Sequence, residues 1–414
     1  MTFDRRIVLV VSMAALAVFL YGSIDYHSMP YAGMDLKYYR ESASFSPSIA
    51  SDIPKPFCYR LLGPWLAGLF PDDVAGFRIV TWLSALLLAI LFYRLLLSMG
   101  ISPAAGAAAV FFLVMNKHLF GISTWNFFQV KDTLSLVFIA AAMLAMRRRR
   151  WGLFSAALLG GALTGELAMI MVPVLFVFLA GRDSFRAGDG AGEDRTPAAN
   201  RDGGAPPPAP RDGFARPAGR QGWARPALAC LPAIAAFAAV RLLVSSSGGI
   251  GLMESALRYG VKLKHPMVWY GLLVNPFIPL TFIPLIFFRE SARFLGRNLH
   301  LAAYFLLVLA SASFGSNNER LMAPAAIAFY ALIAFIIDAR VLPRGKHWIA
   351  ILAAAAALSS LHHSIARFPL PERSFTVALS GGSLLALTLI FLIFFAPLRR
   401  RPGGAPGEKS SMNY

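Results

Sequence analysis

The chain has 414 residues, of which 57% are hydrophobic and only 14% charged, and its mean hydropathy is +0.60. A soluble domain carries about a quarter charged residues, so a water-soluble globular fold is excluded and the surplus apolar surface must face lipid. The net charge of +18 does not point to nucleic acid. The cations gather at the ends of apolar runs, at Arg5-Arg6, Arg147 to Arg150, Arg289/Arg293/Arg297, Arg340/Arg344/Lys346 and Arg399 to Arg401, which is the positive-inside pattern of membrane topology.

In chain order, the apolar runs predict spans over 7–25, 77–98, 103–117, 126–146, 151–163, 167–180, 226–244, 268–288, 299–314, 321–338, 348–362 and 375–396. The expected fold class is therefore an all-α integral membrane protein, a polytopic bundle of about twelve spans. The first run follows Arg5-Arg6 but no small-x-small cleavage site closes it, so it reads as an uncleaved helix rather than a signal peptide. An even number of spans puts both termini on one side, and the arginine clusters make that side the cytoplasm. The stretch 151–180 decides the register. Split at Leu163-Thr164-Gly165-Glu166 it keeps every arginine cluster inside, whereas one long helix would send Arg399 to Arg401 outside.

Two loops stand out. Residues 181–225 are rich in Gly, Pro, Arg and Asp and nearly free of large apolar side chains, so they read as a disordered cytoplasmic linker. It separates an N-terminal membrane half (1–180) from a C-terminal half (226–398), and a tail follows at 399–414. The loop 26–76 lies on the outer side, and its run PFCYRLLGPWLAGLF from Pro56 to Phe70 reads as a helix lying in the interface. The bias toward Arg, Ala, Gly and Pro fits a GC-rich bacterial genome, which makes the expected location the inner membrane. Cys58 and Cys230 fall at opposite faces in this topology and predict no disulfide or thiol metal site.

Charges near membrane depth are costly and need a reason. Those the topology puts at the outer face are Asp35, Lys37, Arg60, Lys131, Asp132, Glu166, Arg241, Glu319 and Arg320. They come from distant parts of the chain, and their convergence predicts one polar cavity. Asp35 in GMDLKYY has the chemistry of a general base, or of an ordinary loop acid. Asp132, after Lys131, also suits a helix start through the dipole, and Glu166 a capping role at the hairpin tip. Arg60 and Arg320 offer the planar fork that matches phosphate oxygens, with Glu319 as a competing partner for Arg320. Arg258, Lys262, Lys264 and His265 make 245–267 basic, which suits an anionic headgroup or interfacial anchoring. His362-His363 project about 100° apart on a helix and do not predict a metal pair, Asp72-Asp73 reads as a helix start, and no nucleotide-binding motif occurs.

These features resemble the GT-C class of membrane glycosyltransferases, in particular bacterial relatives of protein O-mannosyltransferases. The residues that carry the resemblance are Asp35 in MDLKYY, the PFCYRLLGPWLAGLF run, Lys131-Asp132 at a helix start, the Thr164-Gly165-Glu166 turn, and Glu319-Arg320 before Met322-Ala323-Pro324. The resemblance implies sugar transfer at the periplasmic face from a polyprenyl-phosphate donor to an acceptor hydroxyl. Asp35 would be the catalytic base, and Arg60, Lys131, Asp132, Glu166, Glu319 and Arg320 would bind substrate, with no metal or other cofactor. The expected partners are membrane lipid, the lipid-linked donor and an acceptor, not nucleic acid. Two halves of six spans also suit a transporter or flippase for a lipid-linked or anionic substrate, and a non-catalytic envelope assembly factor is the third reading.

Overall fold

A computed structural model describes residues 5–24, 32–50, 53–116, 120–189, 222–244, 246, 248, 252–315, 318–364 and 373–395. Among these residues every regular element is helical. Four helices are long and apolar enough to cross a membrane, Asp73–Ser98, Phe127–Arg147, Ala224–Leu243 and Glu319–Arg344, or five if the bent pair Phe288–Arg297 and Leu299–Ser313 counts as one span. Shorter apolar helices complete the bundle, at Pro103–Val114, Trp151–Thr164, Glu166–Gly181, His347–Leu358 and Gly381–Phe395.

Helix α1 (Arg5–Tyr21) leads to α2 (Ala32–Ser44), the short α3 (Leu62–Ala67) and the long α4 (Asp73–Ser98). Asp72 caps α4 by accepting from the Val74 N–H at 2.9 Å, and Asp73 pairs with Arg40 of α2 at 2.7 Å. At the far end of α4, Gly100 takes the left-handed conformation at φ 81°. There Gly100 N donates to Leu97 O and Ile101 N to Leu96 O, a Schellman stop that turns the chain at once into the next helix. Ser102 caps that helix, α5 (Pro103–Val114), with Pro103 in its first turn, where the missing N–H costs nothing.

The short α6 (Ile122–Trp125) precedes α7 (Val130–Arg147), and a tight turn with Arg149 at φ 54° leads to α8 (Trp151–Thr164). The chain breaks at Gly165 and turns back, bringing Ala168 against Gly161 so closely that a Cβ on Gly161 would lie 2.5 Å from the Ala168 Cβ. Helix α9 (Met171–Asp189) then returns along the bundle, with Phe178 edge-on to His300 at 5.1 Å. The predicted linker start at 181 is therefore early by about two turns, because the helix continues through Asp189. Most of the expected 181–225 linker and all of the expected tail 399–414 lie outside the described residues.

Helix α10 (Ala224–Leu243) is followed by α11 (Leu252–Gly260), α12 (Pro266–Leu273), α13 (Ile283–Ile286), α14 (Phe288–Arg297) and α15 (Leu299–Ser313). The predicted span 268–288 is not a continuous helix. Pro276, Pro279 and Pro284 fall inside it, and each removes a backbone donor and clashes with the preceding turn. The chain there runs as α12, a 3-10 turn at Asn275–Phe277 and α13. The short α16 (Asn318–Met322) and α17 (Ala326–Ile336) follow, then α18 (His347–Ser364) and α19 (Arg373–Ile390). One apolar core draws on α1, α4, α5, α7 and α8 and equally on α10, α15, α17 and α19, so the two sequence halves pack as one bundle.

The polar groups collect at the two ends of this bundle. At one end Arg147 donates to the Ser98 carbonyl at 2.9 Å and to Asn298 at 3.5 Å, the Asp338 carboxylate accepts from the Ser102 N–H at 3.2 Å, and Arg340 pairs with Glu290. Those contacts bring together three of the arginine-bearing segments, those of Arg147, of Arg289/Arg293/Arg297 and of Arg340. Lys131 lies at the other end, about 24 Å away along α7.

Candidate functional site

The segment between α2 and α4 forms two short pieces and not the single interfacial helix expected over Pro56 to Phe70. They are a 3-10 turn at Phe57–Tyr59 and α3. The helix stops because Pro64 cannot donate and the loop is pinned from both sides: Trp65 donates to the Ser48 carbonyl and Ser46 to the Trp65 carbonyl, both at 3.0 Å. Arg60 occupies the break. Gly63 packs so tightly on the start of α7 that a Cβ there would meet Val130 at 2.9 Å, which sets the Arg60 loop beside Lys131.

Two ion-paired triads result. In the first, Glu166 at the α8–α9 turn lies 3.7 Å from Arg60 and 3.3 Å from Arg241. In the second, Asp132 lies 3.3 Å from Lys131 and 3.4 Å from Arg320. Arg60 is within electrostatic reach of Lys131 and Asp132 as well, so the triads form one cluster of four cations and two carboxylates. Its members come from the segment between α2 and α4 and from α7, the α8–α9 turn, α10 and α16.

The guanidinium groups are held in place. Arg60 donates to the Tyr39 hydroxyl at 3.0 Å and lies 5.6 Å from the Phe57 ring centre. Arg241 stacks on Phe237 at 3.5 Å and faces Tyr59 at 4.9 Å. Only 12% of the Arg60 side chain is exposed, and its buried Nε has no hydrogen-bond partner within the protein. A buried donor without a partner is costly, and an anionic ligand or a water would satisfy it.

Glu166 is ionised here. Desolvation alone would raise its carboxyl, but Arg60, its own backbone N–H, Lys131 and Arg241 outweigh that and hold it below the usual carboxylate range. Cys58 lies beside this group, and burial pushes its thiol up, so it packs rather than attacks. Both Cys58 and Cys230 are free.

Of the expected site residues, Arg60, Lys131, Asp132, Glu166 and Arg320 meet in this cluster. Glu319 is next to it, its carboxylate accepting from Asn275 at 2.7 Å, and Arg320 pairs with Asp132 at 3.4 Å. Asp35 lies on α2 one turn before Tyr39, and its side chain is outside those described. The side chains of His362 and His363 are likewise outside. Arg241, expected among the converging charges, joins them there, and Tyr39 and Asn275 are the site residues that the sequence did not single out. Among the described residues no group of three His, Cys, Asp or Glu could hold a metal ion.

Comparison with family models, with curated proteins and with solved structures gives no match.

Proposed function

We propose that the chain is a membrane glycosyltransferase that moves a sugar from a polyprenyl-phosphate donor to an acceptor hydroxyl. The observation that supports this reading is the cluster in which Arg60, Lys131, Arg241 and Arg320 outnumber Asp132 and Glu166 at one end of an apolar bundle. Excess positive charge in a partly desolvated setting favours a phosphate, and favours it more as charge develops on the departing oxygen. In the proposed reaction Asp35 takes the acceptor proton, the hydroxyl oxygen attacks the anomeric carbon in line, and the bond to the phosphate oxygen breaks. A single displacement inverts the anomeric centre.

The finer topology belongs to this proposal: twelve crossings, both termini in the cytoplasm, and the cluster facing the periplasm of a bacterial inner membrane. It places the site where nucleotide sugars are absent and a donor anchored by its own lipid chain is at hand. Against a transporter, the charges gather at one end instead of the bundle centre, where transported substrates bind.

The test supplies reconstituted protein with labelled polyprenyl-phosphate sugar and follows release of polyprenyl phosphate in membranes that contain the acceptor. R60Q and R320Q are expected to lose at least a hundredfold in rate, and D35N to lose turnover while still inserting. Full turnover by D35N removes Asp35 from the mechanism. Uptake of substrate into sealed vesicles with no covalent product replaces the enzyme reading with transport.

A further inference from the structure

At the bundle end opposite the cluster, α14 crosses beneath the helices instead of joining them. Its axis is bent 101° from that of α15, so if α15 crosses the bilayer α14 lies along the membrane plane. The buried side of α14 is anchored: Glu290 pairs with Arg340, the Phe294 ring is 5.1 Å from Phe335, and Ser291 donates to the Pro284 carbonyl at 2.9 Å. The bend is locked too, since Asn298 donates to the Phe294 carbonyl at 3.0 Å and accepts from Arg147.

Arg289, Arg293 and Arg297 are all exposed along this helix. Their spacing of four residues places them within roughly an 80° arc, along about 12 Å of helix. Exposed apolar side chains flank the row, with Leu285 69% and Phe288 68% exposed before it and Leu299 48% after it. A rigid helix with a cationic strip between apolar ends is built for the boundary between headgroups and acyl chains.

We infer that α14 is a binding surface for anionic phospholipid headgroups, with Arg289, Arg293 and Arg297 on the lipid phosphates and Phe288 and Leu299 in the acyl region. The inference rests on the membrane reading of the bundle and not on the transferase reading. Charge complementarity selects the anionic lipid, and the anchored backbone means that little order has to be created on binding.

The test titrates the full chain in a neutral detergent with dioctanoyl phosphatidylglycerol, with dioctanoyl phosphatidylcholine and with inorganic phosphate. Phosphatidylglycerol is expected to bind tightest, with the preference weakening in salt. R293Q should weaken that binding roughly fivefold, and each further arginine replaced should weaken it by a similar factor. R293K, which keeps the charge, should retain most of it and shows that any loss in R293Q is not misfolding. Equal affinity for the two lipids, competition by inorganic phosphate at the lipid's own concentration, or undiminished phosphatidylglycerol binding in R293Q would each overturn the assignment. A failed transferase assay would leave it standing.

Discussion

Asp132 and Arg320 meet at 3.4 Å, joining the start of α7 to α16 across the two halves of the sequence. Asp132 also holds Lys131 at 3.3 Å, and all three side chains are less than a quarter exposed. Removing the carboxylate in D132N leaves two neighbouring cations without their shared partner, an arrangement that costs about 3 kcal/mol when largely buried. Adding R320Q to D132N should therefore cost less than R320Q alone. A double-mutant cycle, read from unfolding in mixed micelles with rising dodecyl sulfate, is expected to give a coupling of about 1–3 kcal/mol. Strict additivity would mean that the pair does not link the halves energetically.

Glu166 sets the acid limit of the first triad. Its carboxyl is held below the usual range in the folded protein, so its pairs with Arg60 and Arg241 contribute stability at every pH above the unfolded value near 4.3. That contribution fades only as pH falls through the lower folded value. The difference in melting temperature between wild type and E166Q should thus stay constant from pH 8 to about 5 and shrink below that. A difference that collapses between pH 7 and 5 would place Glu166 in a neutral, unpaired setting.

Charge carried most of what was legible in the sequence. Arg60, Lys131, Asp132, Glu166 and Arg320 were readable as a group because each sits at the same end of an apolar run, and an ionised group at that depth needs compensation. Arg241 met the same test and stands with them, paired with Glu166. Tyr39 and Asn275 carry no such signal, since an uncharged polar side chain is tolerated in many places and only the fold shows that they meet Arg60 and Glu319. The break within 268–288 was written in Pro276, Pro279 and Pro284, but the apolar run around them outweighed the prolines. The same averaging joined the 3-10 turn at Phe57–Tyr59 and α3 into one helix, although Arg60 lay at their junction.

That broken segment is tied to the bundle by one side chain. Asn116, buried at the end of α5, donates to the Pro276 carbonyl at 2.5 Å and to the Tyr330 hydroxyl at 3.0 Å. N116L keeps the volume and orphans both acceptors, at about 1–3 kcal/mol for each. Adding Y330F to N116L removes one of the orphans and should recover about 1 kcal/mol, measured by the same micelle unfolding. If Y330F makes N116L less stable still, the hydroxyl has a better partner than Asn116 and this account of the tie fails.

The α8–α9 turn depends on two glycines with no room for a side chain. A Cβ on Gly161 would lie 2.5 Å from Ala168, and one on Gly160 would lie 2.4 Å from the Phe138 ring. Ala168 is buried and cannot move aside without cost, and the Phe138 ring packs half-buried against the core. G161A should destabilise by about 1–3 kcal/mol through overpacking, even though alanine is the better helix former by roughly 1 kcal/mol. Because the turn carries Glu166, the same substitution should also weaken the coupling between Glu166 and Arg60, which a cycle of E166Q and R60Q in the G161A background reads directly. A168G should restore both in that background by removing the opposing methyl. Unchanged coupling in G161A would show that Glu166 is positioned by its ion pairs alone and not by the closeness of the two helices behind it.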